Sequence, residues 1–245
     1  GKTWYTGVSS DPFWDSSNPG TTTGLGALVN INPTTGNSEM VRDKGEQAYE
    51  KDQVAELKTY FGSAFGIGKL AAASLYVGQF NTLVNTSGAK LDFGRPFTSR
   101  PIALKGWYHY TPETIDDDDE EVGKYTPSMK GQTDLCSIYI ILSKGTYQLN
   151  NTETGTLLSE EKVFGMEQFI AYGELPMAQC GKTDGWVNFN IPLKYKTDKL
   201  DEKPTHLIIV CSSSKYGDYF TGAVGSVMYL DDFSLVYDGT PAIWE

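Results

Sequence analysis

Two stretches of this chain set a tryptophan among polar side chains at strand spacing. In ALKGWYHYTP, Trp107 stands two residues from both Lys105 and His109, and in GWVNFN, Trp186 is in line with Asn188 and Asn190. Residues i and i+2 of a β-strand share a face, so each stretch would present one indole ring flanked by hydrogen-bonding groups. Such a pattern suits sugars, whose C–H faces stack on aromatic rings while their hydroxyls pair with amide, ammonium and imidazole groups. A third cluster, DPFWDSSNPG, carries Trp14, Asp15 and Asn18 on a loop turned by Pro19-Gly20. Burial is the competing reading for each ring, since most tryptophans lie largely inside. Phe13-Trp14 could plug one end of the fold, with Asp15 or Asn18 tying the loop down through an Asx turn.

Other chemistries lack the residues they need. His109 and His206 are the only histidines, and no GxSxG, HExxH or phosphate-loop pattern is present. Cys136, Cys180 and Cys211 form no CxxC motif, and Cys136 and Cys211 sit in apolar runs where a thiol acts as a small core hydrophobe. A pair of carboxylates for glycoside cleavage has candidates only through abundance, Glu167 with Glu174 for example, because the chain holds 31 acids. Asp231 and Asp232 are more pointed, since they interrupt the strand pattern VMYLDDFSLVYDG. A carboxylate within a buried strand must be hydrogen-bonded, paired or metal-bound. Backbone amides are the simpler partners; a structural calcium ion at Asp231 is the sharper alternative. No cofactor is called for.

The elements that must position these residues read as strands. The clearest run from Ile102 to Tyr110, Leu135 to Leu142, Trp186 to Leu193, His206 to Ser212 and Ser226 to Tyr237, each rich in β-branched or aromatic residues and bounded by turn formers. Weaker ones are Trp4 to Val8, Leu28 to Ile31, Leu70 to Phe80 and Glu167 to Tyr172. In GEQAYEKDQVAELKTYFG the spacing fits a helix or a strand, and the strand reading is preferred. Within WVNFNIPL, Val187, Phe189, Ile191 and Leu193 would face a core and Trp186, Asn188 and Asn190 the opposite side. Many strands, close turns and no alternating helices indicate an all-β fold, an antiparallel sandwich of the jelly-roll kind. At 245 residues it is expected to be one domain spanning 1–245, with an acidic loop near 113–131 that contains six consecutive acids from Asp116.

A net charge of −11 and a pI near 4.7 argue against nucleic acid and anionic lipid as partners. No apolar run approaches the roughly 20 residues of a membrane span. The chain starts at Gly1 without Met, which suits a trimmed, mature form.

Three blocks, FWDSSNPG, GRPFTSRPIALKGWYHYTP and KPTHLIIVCSSSKYGDYFTGAVGSVMYLDDFSLVYDG, resemble in the same order the putative carbohydrate metabolism domain family of gut-type Gram-negative bacteria. The last block is the most specific; the middle one departs through the acidic insertion after Pro112. The resemblance implies a jelly roll similar to carbohydrate-binding modules, in exported lipoproteins at the outer membrane or cell surface. A non-catalytic module that captures poly- or oligosaccharide, beside other glycan-utilisation proteins and without itself touching the membrane, is the reading that follows. Its alternatives are a glycoside hydrolase or polysaccharide lyase on the same fold, and a structural or adhesin-like surface domain.

Overall fold

The computed structural model describes residues 2–3, 12–37, 53–64, 67–116 and 127–244. Two sheets, antiparallel except where β18 joins β15 in parallel, enclose one core. The first, sheet A, runs in the order β1 (Lys2–Thr3), β3 (Thr34–Asn37), β4 (Val54–Lys58), β17 (Val227–Val236), β10 (Ala103–Thr111) and β14 (Val187–Pro192). Sheet B runs β12 (Tyr147–Asn150), β8 (Gly88–Phe93), β7 (Ser74–Val84), β16 (His206–Ser212), β11 (Ser137–Ser143), β13 (Phe169–Glu174), β15 (Lys194–Tyr195) and β18 (Ala242–Ile243). Two short strands flank it, β2 (Trp14–Ser16) beside β7 and β9 (Arg95–Pro96) beside β16. The chain passes from one sheet to the other between β10 and β11, β13 and β14, and β16 and β17, which is the winding of a jelly roll. A separate hairpin joins β5 (Tyr60–Ala64) to β6 (Ile67–Ala71).

Side-chain alternation decides which face each sheet turns inward. In β14, Phe189 and Ile191 are buried while Asn188 and Asn190 are exposed. The partner strand β10 buries Leu104, Tyr108 and Tyr110 and turns Lys105, Trp107 and His109 outward. Strands β11 and β16 differ, because SIYIIL and HLIIVC are apolar at nearly every position. Ile138, Ile140, Leu207 and Ile209 pack into the core between the sheets, while Ile141, Ile208 and Val210 pack into a second cluster on the far side of sheet B. A strand buried on both faces reads as a continuous apolar run. Part of that far side is covered by α2 (Glu160–Gly165), whose Val163 and Phe164 join the second cluster. Ser159 caps this helix by accepting a hydrogen bond from the Lys162 amide at 3.2 Å. Cys136, Cys180 and Cys211 are buried and unbridged, and burial raises the pKa of all three thiols.

The serine run after β16 closes one end of the sandwich. Asp134 Oδ2 accepts from Ser214 Oγ at 2.6 Å and the Ala223 amide at 2.8 Å, and its Oδ1 accepts from the Leu135 amide at 2.8 Å. Thr59 bridges the Ser213 and Ser214 hydroxyls at 2.7 Å each, and Tyr110 donates its hydroxyl to the Ser213 carbonyl at 2.8 Å. Burial pushes the Asp134 carboxyl up to about 6, with these hydrogen bonds opposing the shift.

Several expectations need adjustment. Leu28 to Ile31 is not a strand: Gly24–Leu28 forms a 3-10 turn, framed by left-handed Gly24 (φ 53) and Asn30 (φ 50). Such a frame coils the segment before it can extend. The Leu70 to Phe80 run divides into β6 and β7 at Ala72-Ala73, where the Ala73 amide donates to Ser213 Oγ at 3.1 Å rather than to a neighbouring strand. The strand expected from Glu167 begins at Phe169. Within the ambiguous segment, which ends at Gly62, residues 54–58 form β4 and 60–62 begin β5. Trp4 to Val8 lies outside the described residues, as does 117–126 of the acidic loop, whereas Asp116 is exposed.

Strand β17 holds one irregularity that sets the phase of sheet A. Lys105 pairs with Ser234, but Trp107 pairs with Asp231, so Asp232 and Phe233 together oppose Gly106. This is a β-bulge. Asp232 takes up the extra residue at φ 57, and Phe233 turns inward against Phe189 with ring centroids 5.2 Å apart. A Cβ on Gly106 would meet Phe233 at 2.5 Å and Phe189 at 2.7 Å. Gly106→Ala is therefore expected to destabilise the fold by roughly 1–3 kcal/mol through overpacking, read as a lower urea midpoint. A change within about 0.5 kcal/mol would show that the two rings give way freely.

Candidate functional site

The outward residues of β14, β10, β17 and β4 assemble a patch on the solvent side of sheet A. Hydrogen-bonded pairing sets its rows. His109 lies across from Tyr229, and Tyr229 from Glu56. In the next row Trp107 lies between Asn188 and Asp231, and in the third Lys105 lies between Asn190 and Ser234.

Trp186, just before β14, closes the first row. The His109, Trp186 and Tyr229 rings form a triangle with centroids 6.2, 6.4 and 5.9 Å apart and tilts of 41 to 59°. These are tilted contacts, with centroid separations inside the roughly 4.5–7 Å range of interacting aromatic pairs. All three rings and Trp107 are half-buried, while Lys105, Asn188 and Asn190 are exposed. Half-burial means that each ring is braced by neighbours and still offers part of its surface to solvent.

Polar groups around the rings are held in place. Asn188 donates its amide to the Gly106 carbonyl at 3.0 Å, which leaves its amide oxygen directed away from that bond. The Tyr229 hydroxyl bonds to Glu56, which also accepts from Asn37 Nδ2 at 2.5 Å. Burial, then Glu56, raise the Tyr229 pKa. The His109 pKa is lowered by burial, and its enclosed Nδ1 meets no hydrogen-bond partner among the described residues. The ring is thus neutral near pH 7. Chemically, the face offers stacking surfaces, amide and carboxylate acceptors, and ammonium and amide donors, which is a binding inventory.

Six sequence-selected residues, Lys105, Trp107, His109, Trp186, Asn188 and Asn190, therefore meet on one face, and Asp231 joins them beside Trp107. The carboxylate problem in β17 is solved by the bulge: Asp231 points outward and is half-buried, and Asp232 is exposed, so neither enters the core. Among the described residues no cluster of three His, Cys, Asp or Glu side chains forms a metal site.

The third cluster lies elsewhere. Trp14 sits on β2 opposite Val77, packed against the core with its ring 6.1 Å from Phe233, while the adjoining Phe13 is 40% exposed. Asp15 accepts from the Ser16 and Phe80 amides, both at 2.7 Å. Asn18 is buried and clasps Thr34, donating to its carbonyl at 2.7 Å and accepting from its amide at 2.9 Å. These bonds occupy both ends of the Asn18 amide. The acid pair Glu167 and Glu174 is split by strand β13. Glu167, just before β13, pairs with Lys199 at 2.5 Å, and Glu174, the last residue of β13 and five strand steps past Phe169, pairs with Lys215 at 2.8 Å. That is roughly 17 Å at about 3.3 Å per residue, too far for two glycosidase carboxylates, which act about 5–9.5 Å apart.

Tyr229 and Glu56 were not selected from sequence. Tyr229 is in phase with Asp231, which was the available signal, but only the pairing of β17 with β10 and β4 brings it to the rings.

An antiparallel jelly-roll sandwich with an aromatic and polar face on one sheet defines the structural class. The chain belongs to the family described as putative carbohydrate metabolism domain, whose pattern matches residues 3–236. Among solved structures it is similar to a putative glycoside hydrolase from Bacteroides thetaiotaomicron, at 24% identity and a TM-score of 0.65. That match covers 93% of this chain and 63% of the other, so the chain spans less than two thirds of that protein. A putative glycoside hydrolase from Bacteroides vulgatus gives 22% identity and a TM-score of 0.61, covering 91% of this chain and 85% of the other. At these identities the likeness is one of fold. No curated protein matches the chain.

The His109 environment makes a pH prediction. A base whose folded pKa is depressed resists protonation that the unfolded chain accepts, so stability is lost as pH falls below about 6.5 toward the folded pKa. His109→Phe keeps a ring and removes the titration. The decline in urea midpoint between pH 7.5 and 5.5 should be shallower in the variant than in the parent chain. Identical slopes would mean that His109 is as free to charge in the fold as out of it.

Proposed function

We propose that the domain binds glycan chains on the outer face of sheet A, as a non-catalytic module of an exported protein at the bacterial cell surface. The observation that carries the reading is the convergence of Trp186, His109 and Tyr229 as a braced aromatic cluster, with Trp107 and the Asn188 and Asn190 amides on the same open face. Sugar rings would stack on the indoles, with hydroxyls meeting Asn188, Asn190, Lys105 and Asp231. Family membership supports carbohydrate as the ligand class.

The face sits next to an edge strand, β14, so a polymer can run across it without threading through an enclosed site. Each contact is modest, and affinity would build from several sugar units engaged at once. Binding by rings, amides and an ammonium group requires no metal.

Affinity electrophoresis against plant, host and bacterial polysaccharides, run alongside a reducing-sugar assay, tests the reading. Retardation without sugar release is expected on at least one polymer, and it should survive EDTA. Trp107→Ala and Trp186→Ala should each weaken binding by about 1 kcal/mol or more per stacked ring, roughly fivefold to tenfold. Reducing-sugar release would replace the module reading with an enzyme. Silence across the panel would favour a structural surface domain.

A further inference from the structure

The far side of sheet B holds a cavity of about 390 Å³ that shares no residue with the sheet A face. Leu91, Tyr139, Val210 and Ser212 come to its lining from strands of sheet B. Three short elements also contribute: α1 (Asn18–Thr22) with the 3-10 turn that follows, the β5–β6 hairpin, and the 3-10 turn Gly217–Tyr219. Most of the lining is apolar. Leu25 and Leu28, which belong to it, are 52% and 57% exposed, a costly arrangement for two leucines with nothing to cover.

Its polar groups are unequal. Lys215 also borders the cavity but is paired with Glu174 at 2.8 Å. Ser214 is occupied by Asp134 and Thr59, and Ser212 donates to the Ser214 carbonyl at 2.8 Å. Lys69 bonds the Ser87 carbonyl, with its ammonium 3.9 Å over the Phe220 ring. Asp218 and Tyr139 differ from these four. Both line the cavity, they interact electrostatically with each other, and among the described residues none hydrogen-bonds the Asp218 carboxylate or the Tyr139 hydroxyl. Burial pushes the Asp218 carboxyl up to about 6, so near neutral pH it is largely an anion, and among the described residues no cation pairs with it. A half-buried carboxylate at the edge of an apolar pocket gains from a ligand that donates a hydrogen bond to it.

We propose that this cavity is a second binding site, for a small amphipathic molecule whose apolar body fills the space above sheet B and whose hydrogen-bond-donating head, an ammonium or hydroxyl group, meets Asp218. The volume falls in the range of small-molecule pockets, about 300–1,000 Å³. An apolar body suits it better than a sugar polymer, because most of the lining surface is apolar. The site stands apart from the glycan reading and does not depend on it.

A matched trio of probes tests the assignment: 4-phenylbutylamine, 4-phenylbutanol and 4-phenylbutyrate, titrated at pH 7.5 into the whole chain by calorimetry. The amine and alcohol should bind and the acid should bind at least tenfold more weakly, since its carboxylate opposes Asp218. A charge-assisted hydrogen bond lost or reversed corresponds to roughly that factor. Asp218→Asn, which keeps the shape of the side chain, should bring the three probes to within about threefold of one another. Absence of binding by all three, equal binding of all three to the parent chain, or an undiminished preference in Asp218→Asn would each overturn the proposal. The parent-chain comparison decides even if the variant fails to fold.

Discussion

The bulge in β17 is the constraint on which the rest of sheet A depends. Strand geometry allows a side chain only two directions. In YLDDFSLV, strict alternation would send Asp232 into the core and Phe233 into solvent. One extra residue, held at φ 57, breaks the alternation, so that Tyr229, Asp231 and Ser234 all face outward while Leu230 and Phe233 face the core. Gly106 completes the arrangement, because the two phenylalanines occupy the space its side chain would take. The polar face and the packed core are thus two sides of one local irregularity, and bulges commonly re-aim side chains in this way.

The two sheets carry their outer faces differently. Sheet B is apolar on both sides in β11 and β16, so its far side must be covered, and α2 supplies part of that cover. The remainder borders the cavity beside α1 and the β5–β6 hairpin. Sheet A alternates cleanly in β10 and β14 and needs no cover, which leaves its rings and amides open to a long ligand. An open face suits a polymer and a walled cavity a small molecule, so the two proposed sites would differ in ligand for the same structural reason.

Much of this was legible in the chain. Alternation in WVNFNIPL and ALKGWYHYTP identified the right faces, and the continuous apolar runs around Ile140 and Ile209 identified strands, because burial and period leave direct traces in residue type. The partners of a strand leave no such trace. Tyr229 and Glu56 joined the site only through the pairing of β17 with β10 and β4. Trp14 and Asn18 illustrate the converse. Their composition suits a ligand loop, yet Asn18 spends its amide on Thr34 and Trp14 packs toward Phe233, partners 16 and more than 200 positions away in the chain. The cavity of sheet B has no local signature either, since its lining is gathered from widely separated segments.

The central claim is that sugar is bound by the rings of sheet A and not by the Trp14 loop. Indole N–H signals, assigned by single Trp→Phe replacements and followed by NMR during titration with an oligosaccharide of the retained polymer, test it directly. The account predicts shifts at Trp107 and Trp186 with Trp14 and Trp244 unmoved. A shift at Trp14 with Trp107 and Trp186 silent would contradict it.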